Sequence, residues 1–272
     1  MNRTVLWVVP VVVVVAGVAG YLLWQQTRQA EPKPEPPRVE APPAAPAEPA
    51  EPQVRHPIEQ ARPQAPEQAA DTAPLPPLAE SDKLVQDALT NLIGADPVRT
   101  FLNVDGFVRR VVVTVDNLPR KKVALRQWPV QPTAERFLTA SKDDVVSLDP
   151  SNARRYAPFV QLVESVDTGK AVALYVRFYP LFQQAYADLG YPNHYFNDRL
   201  VEVIDHLLAT PTVTGPIKLA RPWVLYEYAD PALESRSAGQ KALIRMGPEN
   251  AARLKAKLRE IRQRVTGIAL KE

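Results

Sequence analysis

The chain of 272 residues contains no cysteine, only three histidines and only ten glycines. Without cysteine it can form no disulfide bond, no thiolate zinc site, no iron–sulfur cluster and no cysteine nucleophile. A multi-histidine metal centre would need nearly all of the histidines. The glycines form neither a GxGxxG nor a Walker phosphate-binding loop, and no serine lies in a GxSxG motif. The sequence therefore predicts no cofactor and no bound metal ion.

An apolar run near the start of the chain predicts a membrane anchor. Residues 5–24 carry no charge, and Trp7, Tyr21 and Trp24 lie towards the ends of the run, where aromatic side chains favour lipid headgroups. A helix of this length spans roughly 30 Å, the thickness of a hydrocarbon core. We predict a short tail over residues 1–4 and a transmembrane helix over residues 5–24. A cleaved signal peptide is the alternative, but its apolar core of about 7–15 residues would be shorter.

Proline and acidic residues dominate the next part of the chain. Residues 31–80 contain 15 of the 29 prolines and carry a net charge of −5, whereas residues 81–272 carry +6. A segment of this composition cannot bury a hydrophobic core of its own. We therefore predict a Pro/Glu/Ala-rich disordered linker over residues 25–80, which would hold the following domain away from the bilayer.

Residues 81–272 have the composition of a globular domain, and their apolar residues recur mostly at helical spacing. We predict a single domain that is mainly α, with a few short β-strands. The predicted helices cover residues 81–93, 97–115, 150–166, 170–189, 198–209 and 248–265. For residues 111–115, which are mostly valine, a strand is the alternative. Extended segments are predicted over residues 122–129, 217–219 and 223–228. Aromatic side chains also recur between Tyr175 and Phe196, which favours a buried core over a ligand site.

The densest polar cluster lies on the helix predicted over residues 198–209. Asp198, Glu202 and His206 follow each other at four-residue spacing, which places them roughly along one helix face. Carboxylate and imidazole groups so arranged can form a general base or hold a divalent cation. The alternative interpretation is an N-terminal cap followed by a solvated face, since no HExxH or comparable metal motif accompanies these residues.

The last predicted helix has a cationic face and an apolar stripe. The apolar stripe predicts that the helix packs on the domain, and the cations suggest a surface that binds anions or an acidic partner. A solvated helix whose cations suit its C-terminal dipole is the alternative. We predict no nucleic-acid partner, because aromatic and basic residues do not alternate in the pattern typical of such surfaces. The cations are Arg253, Lys255, Lys257, Arg259, Arg262 and Arg264.

Four sequence blocks resemble the bacterial domain-of-unknown-function 3014 (DUF3014) family. The longest are LYVRFYPLFQQAYADLGYP over residues 174–192 and YFNDRLVEVIDHLLATP over residues 195–211. Residues 115–120 and 237–250 also fit, so the resemblance extends over roughly residues 82–265. It implies an N-terminal membrane span, a proline-rich spacer and then the domain, in Gram-negative bacteria. It implies no activity and no functional residue.

Together these observations predict a single-pass inner-membrane protein. Its partner through residues 5–24 would be the bilayer, and a short segment before the first apolar run favours a cytoplasmic N-terminus. The domain would then lie in the periplasm and bind or scaffold an envelope protein, a peptide or a glycan. The alternative function is an envelope enzyme or metal-dependent hydrolase that uses Asp198, Glu202 and His206.

Overall fold

We describe residues 54–61 and 74–267 of a computed structural model. The predicted tail, the predicted transmembrane helix over residues 5–24 and most of the predicted linker lie outside these ranges. Within them, no helix combines the length and the apolar character needed to cross a membrane.

The two described ranges are mainly helical, as predicted. Their α-helices are α1 (Asp82–Ile93), α2 (Ala95–Phe101), α3 (Phe107–Asn117), α4 (Asn152–Ser165), α5 (Thr168–Asp188), α6 (Phe196–Leu208), α7 (Pro231–Glu234), α8 (Ala238–Arg245) and α9 (Pro248–Thr266). Two antiparallel pairs of short strands join β1 (Thr139–Lys142) to β2 (Val145–Leu148) and β3 (Leu219–Ala220) to β4 (Glu227–Tyr228). Single 3-10 turns cover Ile58–Ala61, Leu78–Glu80 and Leu125–Gln127.

The single helix predicted over residues 97–115 is wrong, because the chain breaks between α2 and α3. Gly106 adopts a left-handed φ of 63°, and its N–H donates to the Asp82 carboxylate at 2.9 Å. Leu102 forms an isolated antiparallel bridge with Val130, so this part of the backbone hydrogen-bonds to a distant segment instead of continuing the helix. The extended segment predicted over residues 122–129 likewise contains a 3-10 turn.

The hairpin of β1 and β2 was not predicted. Its tight turn consists of Asp143 and Asp144, whose φ values are 49° and 60°. A two-residue turn with positive φ at both positions matches the right-handed twist of the strands, and aspartate tolerates this region better than most residues. The pair lacks the glycine that makes such turns conspicuous in a sequence.

The main core lies between α1, α3 and α5, with the start of α6 packed against it. Phe178 and Phe182 on α5 are buried there, and the Phe182 ring stacks on the Phe196 ring with centroids 5.7 Å apart. Tyr186 and Tyr191 stack at 4.7 Å. The interpretation of this aromatic run as core is therefore confirmed for Phe178, Phe182, Tyr186 and Phe196, whereas Tyr195 is 41% exposed.

Helix α9 is more enclosed by other helices than its predicted cationic face indicated. It packs against α4, α5, α6 and α8. Its Val265 is fully buried, and Leu254 and Leu258 pack against the cluster formed by Val203 and Leu207 of α6.

The prediction of disorder throughout residues 25–80 was wrong in two places. The 3-10 turn Ile58–Ala61 packs against α5 and α9, and Ala61 is buried. Further along, Leu78 is buried in the main core, with Leu75 packed beside it. A compositional argument averages over a long window, so it misses a few apolar side chains that can bury against a domain formed elsewhere in the chain.

Candidate functional site

The start of α6 forms the most distinctive polar site in the described ranges. Tyr195 precedes the helix, and Phe196 anchors its first turn in the core. The backbone N–H of Phe196 donates to the Gln183 side chain at 2.9 Å. The next two residues, Asn197 and Asp198, are buried and polar. A carboxylate here also benefits from the positive end of the helix dipole.

Asn197 and Asp198 bind the backbone of the chain segment that precedes the turn Ile58–Ala61. The Asp198 carboxylate accepts the backbone N–H of Arg55 at 3.0 Å on one oxygen and that of His56 at 2.7 Å on the other. The Asn197 amide donates to the carbonyl oxygen of His56 at 2.8 Å and to that of Val265 at 3.2 Å. We call this pair of side chains the clamp.

Beyond the residues that the clamp holds, the 54–61 segment makes apolar contacts with the domain. Ala61 is buried in one cluster with Val172 of α5, Val201 of α6 and Val265 of α9, and Ile58 packs against that cluster. The clamp therefore fixes the backbone of the 54–61 segment at its start, and hydrophobic burial holds its end.

The end of α9 also approaches this segment closely. Gly267 caps α9 with a left-handed φ of 64°. A Cβ atom at this position would lie 3.2 Å from the carbonyl oxygen of Gln60. Glycine therefore suits both the helix end and the close approach of the two backbones.

Two partly buried tyrosines of α5 lie beside the clamp, and one of them orients Asn197. The Tyr175 hydroxyl donates to the Asn197 side-chain oxygen at 3.2 Å, so the amide nitrogen faces His56. Burial raises the pKa of Tyr175 well above its usual value. Burial likewise raises the pKa of Tyr179 to about 12, and its hydroxyl donates to Gln183 at 3.0 Å. Both phenols therefore remain hydrogen-bond donors at neutral pH.

The structure gives the three candidate catalytic residues three different partners. Asp198 holds the 54–61 segment, as described above. Glu202 is half exposed and pairs with Arg199 at 2.9 Å. His206 lies 2.8 Å from the hydroxyl of Ser237, which is the N-cap of α8. In the described ranges, no three Asp, Glu or His side chains are grouped to hold a metal ion.

Ser237 next to His206 resembles a nucleophile beside a base, but its surroundings are those of a helix cap. The Ser237 hydroxyl is buried and accepts the backbone N–H of Gln240 at 3.2 Å. The Gln240 side chain donates in turn to the carbonyl oxygen of His206 at 3.2 Å. These bonds join the start of α8 to the end of α6.

Two arginines of α9 form ion pairs within the domain. Arg253 binds the Glu164 carboxylate of α4 through two nitrogens, and this hydrogen bond lowers the pKa of Glu164. Arg262 binds the Asp205 carboxylate of α6 in the same bidentate manner. Planar, paired contacts of this kind favour arginine over lysine.

Two lysines of α9 bind backbone carbonyl groups. Lys255 donates to the carbonyl oxygen of Thr210, just beyond α6, and burial lowers the pKa of the lysine. Lys257 donates to the carbonyl oxygen of Val166 at 3.0 Å, at the end of α4. Cations at these positions satisfy carbonyl groups that a helix end leaves without a partner. Lys255 and Lys257 therefore take part in hydrogen bonds within the domain, which the sequence pattern did not indicate.

Arg259 and Arg264 are the exposed members of the predicted cationic face. Arg264 lies near Asp167, whose pKa it helps to lower after the larger contribution of backbone hydrogen bonds. Arg259 lines a cavity of about 170 Å³ together with Lys255. Anion binding by the α9 cations stays a prediction, and Arg259 is the residue best placed for it.

The family model for a protein of unknown function (DUF3014) matches residues 107–262. The chain belongs to the DUF3014 family. The resemblance noted in the sequence is therefore confirmed. The DUF3014 match includes Asn197 and Asp198, whereas the 54–61 segment that they bind lies outside it. No curated protein and no solved structure matches the chain.

Sequence reasoning missed most of the clamp. It singled out Asp198 for chemistry, but it gave no role to Asn197, Tyr175 or the 54–61 segment. The available signal was weak: Val54 and Ile58 are two of the few aliphatic residues larger than alanine in a Pro/Glu/Ala-rich stretch. Neighbouring Asn and Asp at a helix start normally indicate a cap, and only burial shows that they bind another segment.

Proposed function

We propose that this DUF3014 protein is a single-pass protein of the bacterial inner membrane that displays a helical binding module in the periplasm. The apolar run over residues 5–24 supports the anchor, and the proline-rich residues that follow support a spacer. The clamp supports a binding role. It holds the bent 54–61 segment through that segment's own backbone, and recognition of backbone groups is also a feature of several peptide-binding modes.

The clamp has the main features of a peptide-binding groove. Its three hydrogen bonds engage backbone groups of Arg55 and His56, so they do not depend on side-chain identity. The apolar cluster around Val172 and Val201 would then select a small or aliphatic residue a few positions later, as Ala61 shows. In this protein the groove holds a segment of the chain itself.

Binding of the 54–61 segment also shortens the spacer. With the clamp closed, residues 25–53 are left to connect the predicted anchor to the domain. In an extended polyproline conformation at ~3.1 Å per residue they would reach about 90 Å, and as a flexible coil they would average roughly 30 Å. The module would therefore work close to the bilayer that anchors it.

Topology is the first test. A reporter that functions only in the periplasm should be active when it is fused to the C-terminus. Protease added to spheroplasts should digest the domain. A reporter that is active only in the cytoplasm would contradict the proposal.

The binding role is tested by in-cell photocrosslinking. A crosslinking amino acid at Tyr195, which is 41% exposed beside the clamp, should capture an envelope protein, peptide or glycan. The matched control places it at Leu125, which is 69% exposed on a separate turn. Identical products from both positions, or none from position 195, would argue against a binding site here.

A further inference from the structure

The loop between β3 and β4 exposes three consecutive apolar side chains. Trp223, Val224 and Leu225 are 83%, 78% and 77% exposed. Single exposed apolar residues are common on soluble proteins, but a contiguous group that includes tryptophan indicates a contact with something outside the domain.

The loop is held in this shape by its own contacts. The Arg221 side chain donates to the carbonyl oxygen of Val224 at 3.2 Å, and its guanidinium lies 5.3 Å from the centre of the Tyr226 ring. At the base, Leu219 pairs with Tyr228, which is buried. A fixed base and a closed turn keep the apolar tip facing outwards.

Cations lie on one side of this tip. Arg221 lies in the loop, and Arg155 and Arg245 line a cavity of about 370 Å³ together with Val224 and Leu225. Arg155 also donates to Thr133 and Glu135, so Arg221 is the cation most available to a lipid phosphate. Glu227 is the one carboxylate among the described residues that line this cavity. Tryptophan favours the headgroup region of a bilayer, and arginine favours the phosphates of anionic lipids.

The size and shape of the tip favour a bilayer over a protein as its partner. Three side chains of this kind expose on the order of 400 Å², whereas a specific protein interface buries about 800 Å² on each side. Insertion of a small exposed tip into the headgroup region needs no matching partner surface.

We infer that Trp223, Val224 and Leu225 insert into the anionic leaflet that faces the domain, in the same membrane that holds the predicted anchor. This inference rests on the proposed membrane anchorage. The anchor makes it feasible, because a short linker keeps the domain at a high effective concentration near the bilayer, so a weak contact suffices.

The absence of cysteine allows a direct test on the full chain. Leu225→Cys carries an environment-sensitive fluorophore, and Leu125→Cys carries the same label as the matched exposed control. Each variant is reconstituted singly in nanodiscs of phosphatidylethanolamine and phosphatidylglycerol. Quenchers attached to the lipid should quench the label at position 225 but not at position 125, and aqueous iodide should show the opposite preference.

A further substitution links the effect to the tip. Trp223→Ser should lower the ratio of inserted to free loop by roughly tenfold, because burial of one large apolar side chain contributes about that factor. The label at position 225 reports this ratio. Discs that contain only phosphatidylcholine should weaken insertion, since the cations then lose their anionic partners.

Two results would overturn the inference. One is equal lipid quenching at positions 225 and 125. The other is a label at position 225 that is shielded from iodide without lipid quenching, which would indicate contact with protein. A chain that is not retained in the discs would instead refute the anchor. Flotation of that chain with vesicles of the same anionic lipids would then test the loop separately. Less flotation of the Trp223→Ser variant than of the parent chain would support insertion of the loop, and equal flotation would refute it.

Discussion

Replacing Asp198 with asparagine should release the 54–61 segment while leaving the domain folded. The carboxylate is only 8% exposed and accepts two backbone N–H groups. Asparagine keeps the size of the side chain but removes the charge, and it places an amide N–H group opposite one of the two backbone donors.

The expected magnitude follows from these two hydrogen bonds. A hydrogen bond to a charged acceptor contributes ~1.5–3 kcal/mol, and the substitution weakens one bond and abolishes the other. We expect the free energy that holds the segment to fall by about 2–4 kcal/mol. The ratio of released to bound segment should therefore rise roughly 30- to 900-fold.

Limited trypsin digestion measures this ratio at the clamp itself. Trypsin cuts after arginine, and the bond between Arg55 and His56 lies within the bound backbone. The next arginine, Arg62, precedes proline and resists cleavage. When opening and closing are fast, the cleavage rate follows the population of the released form. Mass spectrometry of new chains that begin at His56 gives that rate.

The matched control is Glu202→Gln, one helical turn from Asp198. Glu202 is half exposed and pairs with Arg199 on the surface, so we expect stability within about 0.5 kcal/mol of the parent chain and no faster cleavage. Circular dichroism should show both variants folded. Equal rates of cleavage at His56 in the Asp198→Asn variant and the parent chain would refute the assigned role of the clamp.

Three further predictions concern the fold around the site. Gly239→Ala should lower the free energy of unfolding in urea by about 1–3 kcal/mol, because its Cβ would lie 2.7 Å from a Leu207 methyl group and 3.1 Å from the Leu118 carbonyl oxygen, which cannot move without the backbone. An unchanged unfolding midpoint would contradict this packing. Burial raises the pKa of Tyr228 to about 12 in the folded protein. As the pH rises, the unfolded chain therefore loses the Tyr228 proton before the folded protein does. This difference should lower the free energy of unfolding by about 2–3 kcal/mol between pH 10 and 12. Tyr228→Phe should remove that share of the alkaline loss, and an identical pH profile would refute it. Lys257→Ala should cost about 1–3 kcal/mol in the same denaturation assay, whereas exposed Arg259→Ala should change stability by less than about 0.5 kcal/mol; equal effects would show that the two cations are equivalent.

Local sequence predicted the long helices well. The helix predicted over residues 150–166 is Asn152–Ser165, and the helix predicted over residues 248–265 is Pro248–Thr266. Helical hydrogen bonds and apolar stripes involve residues three or four positions apart, so a short window contains what decides them. Because these local contacts decide the helices, the sequence also predicted the mainly α class.

The candidate site could be predicted only in part. The sequence drew attention to Asp198 because carboxylate and imidazole groups recur along one helix face, but the partners of that carboxylate lie 142 and 143 positions earlier. No local pattern reveals a contact at that separation. The two strands of the unpredicted β1–β2 hairpin are only four residues long, and β2 also hydrogen-bonds to residues 217 and 218, far away in the chain.

The sequence by itself determined most of the helical segments, their apolar faces and the family that the chain resembles, because each of these depends on residue type and short-range spacing. The tertiary structure decided which polar groups meet. Helix α9 illustrates the difference: its sequence shows a row of cations, but only packing against α4 and α6 shows that Arg253 and Arg262 bind Glu164 and Asp205. Burial and partner identity depend on the whole fold, and only the fold shows that Asp198 holds a segment far away in the chain.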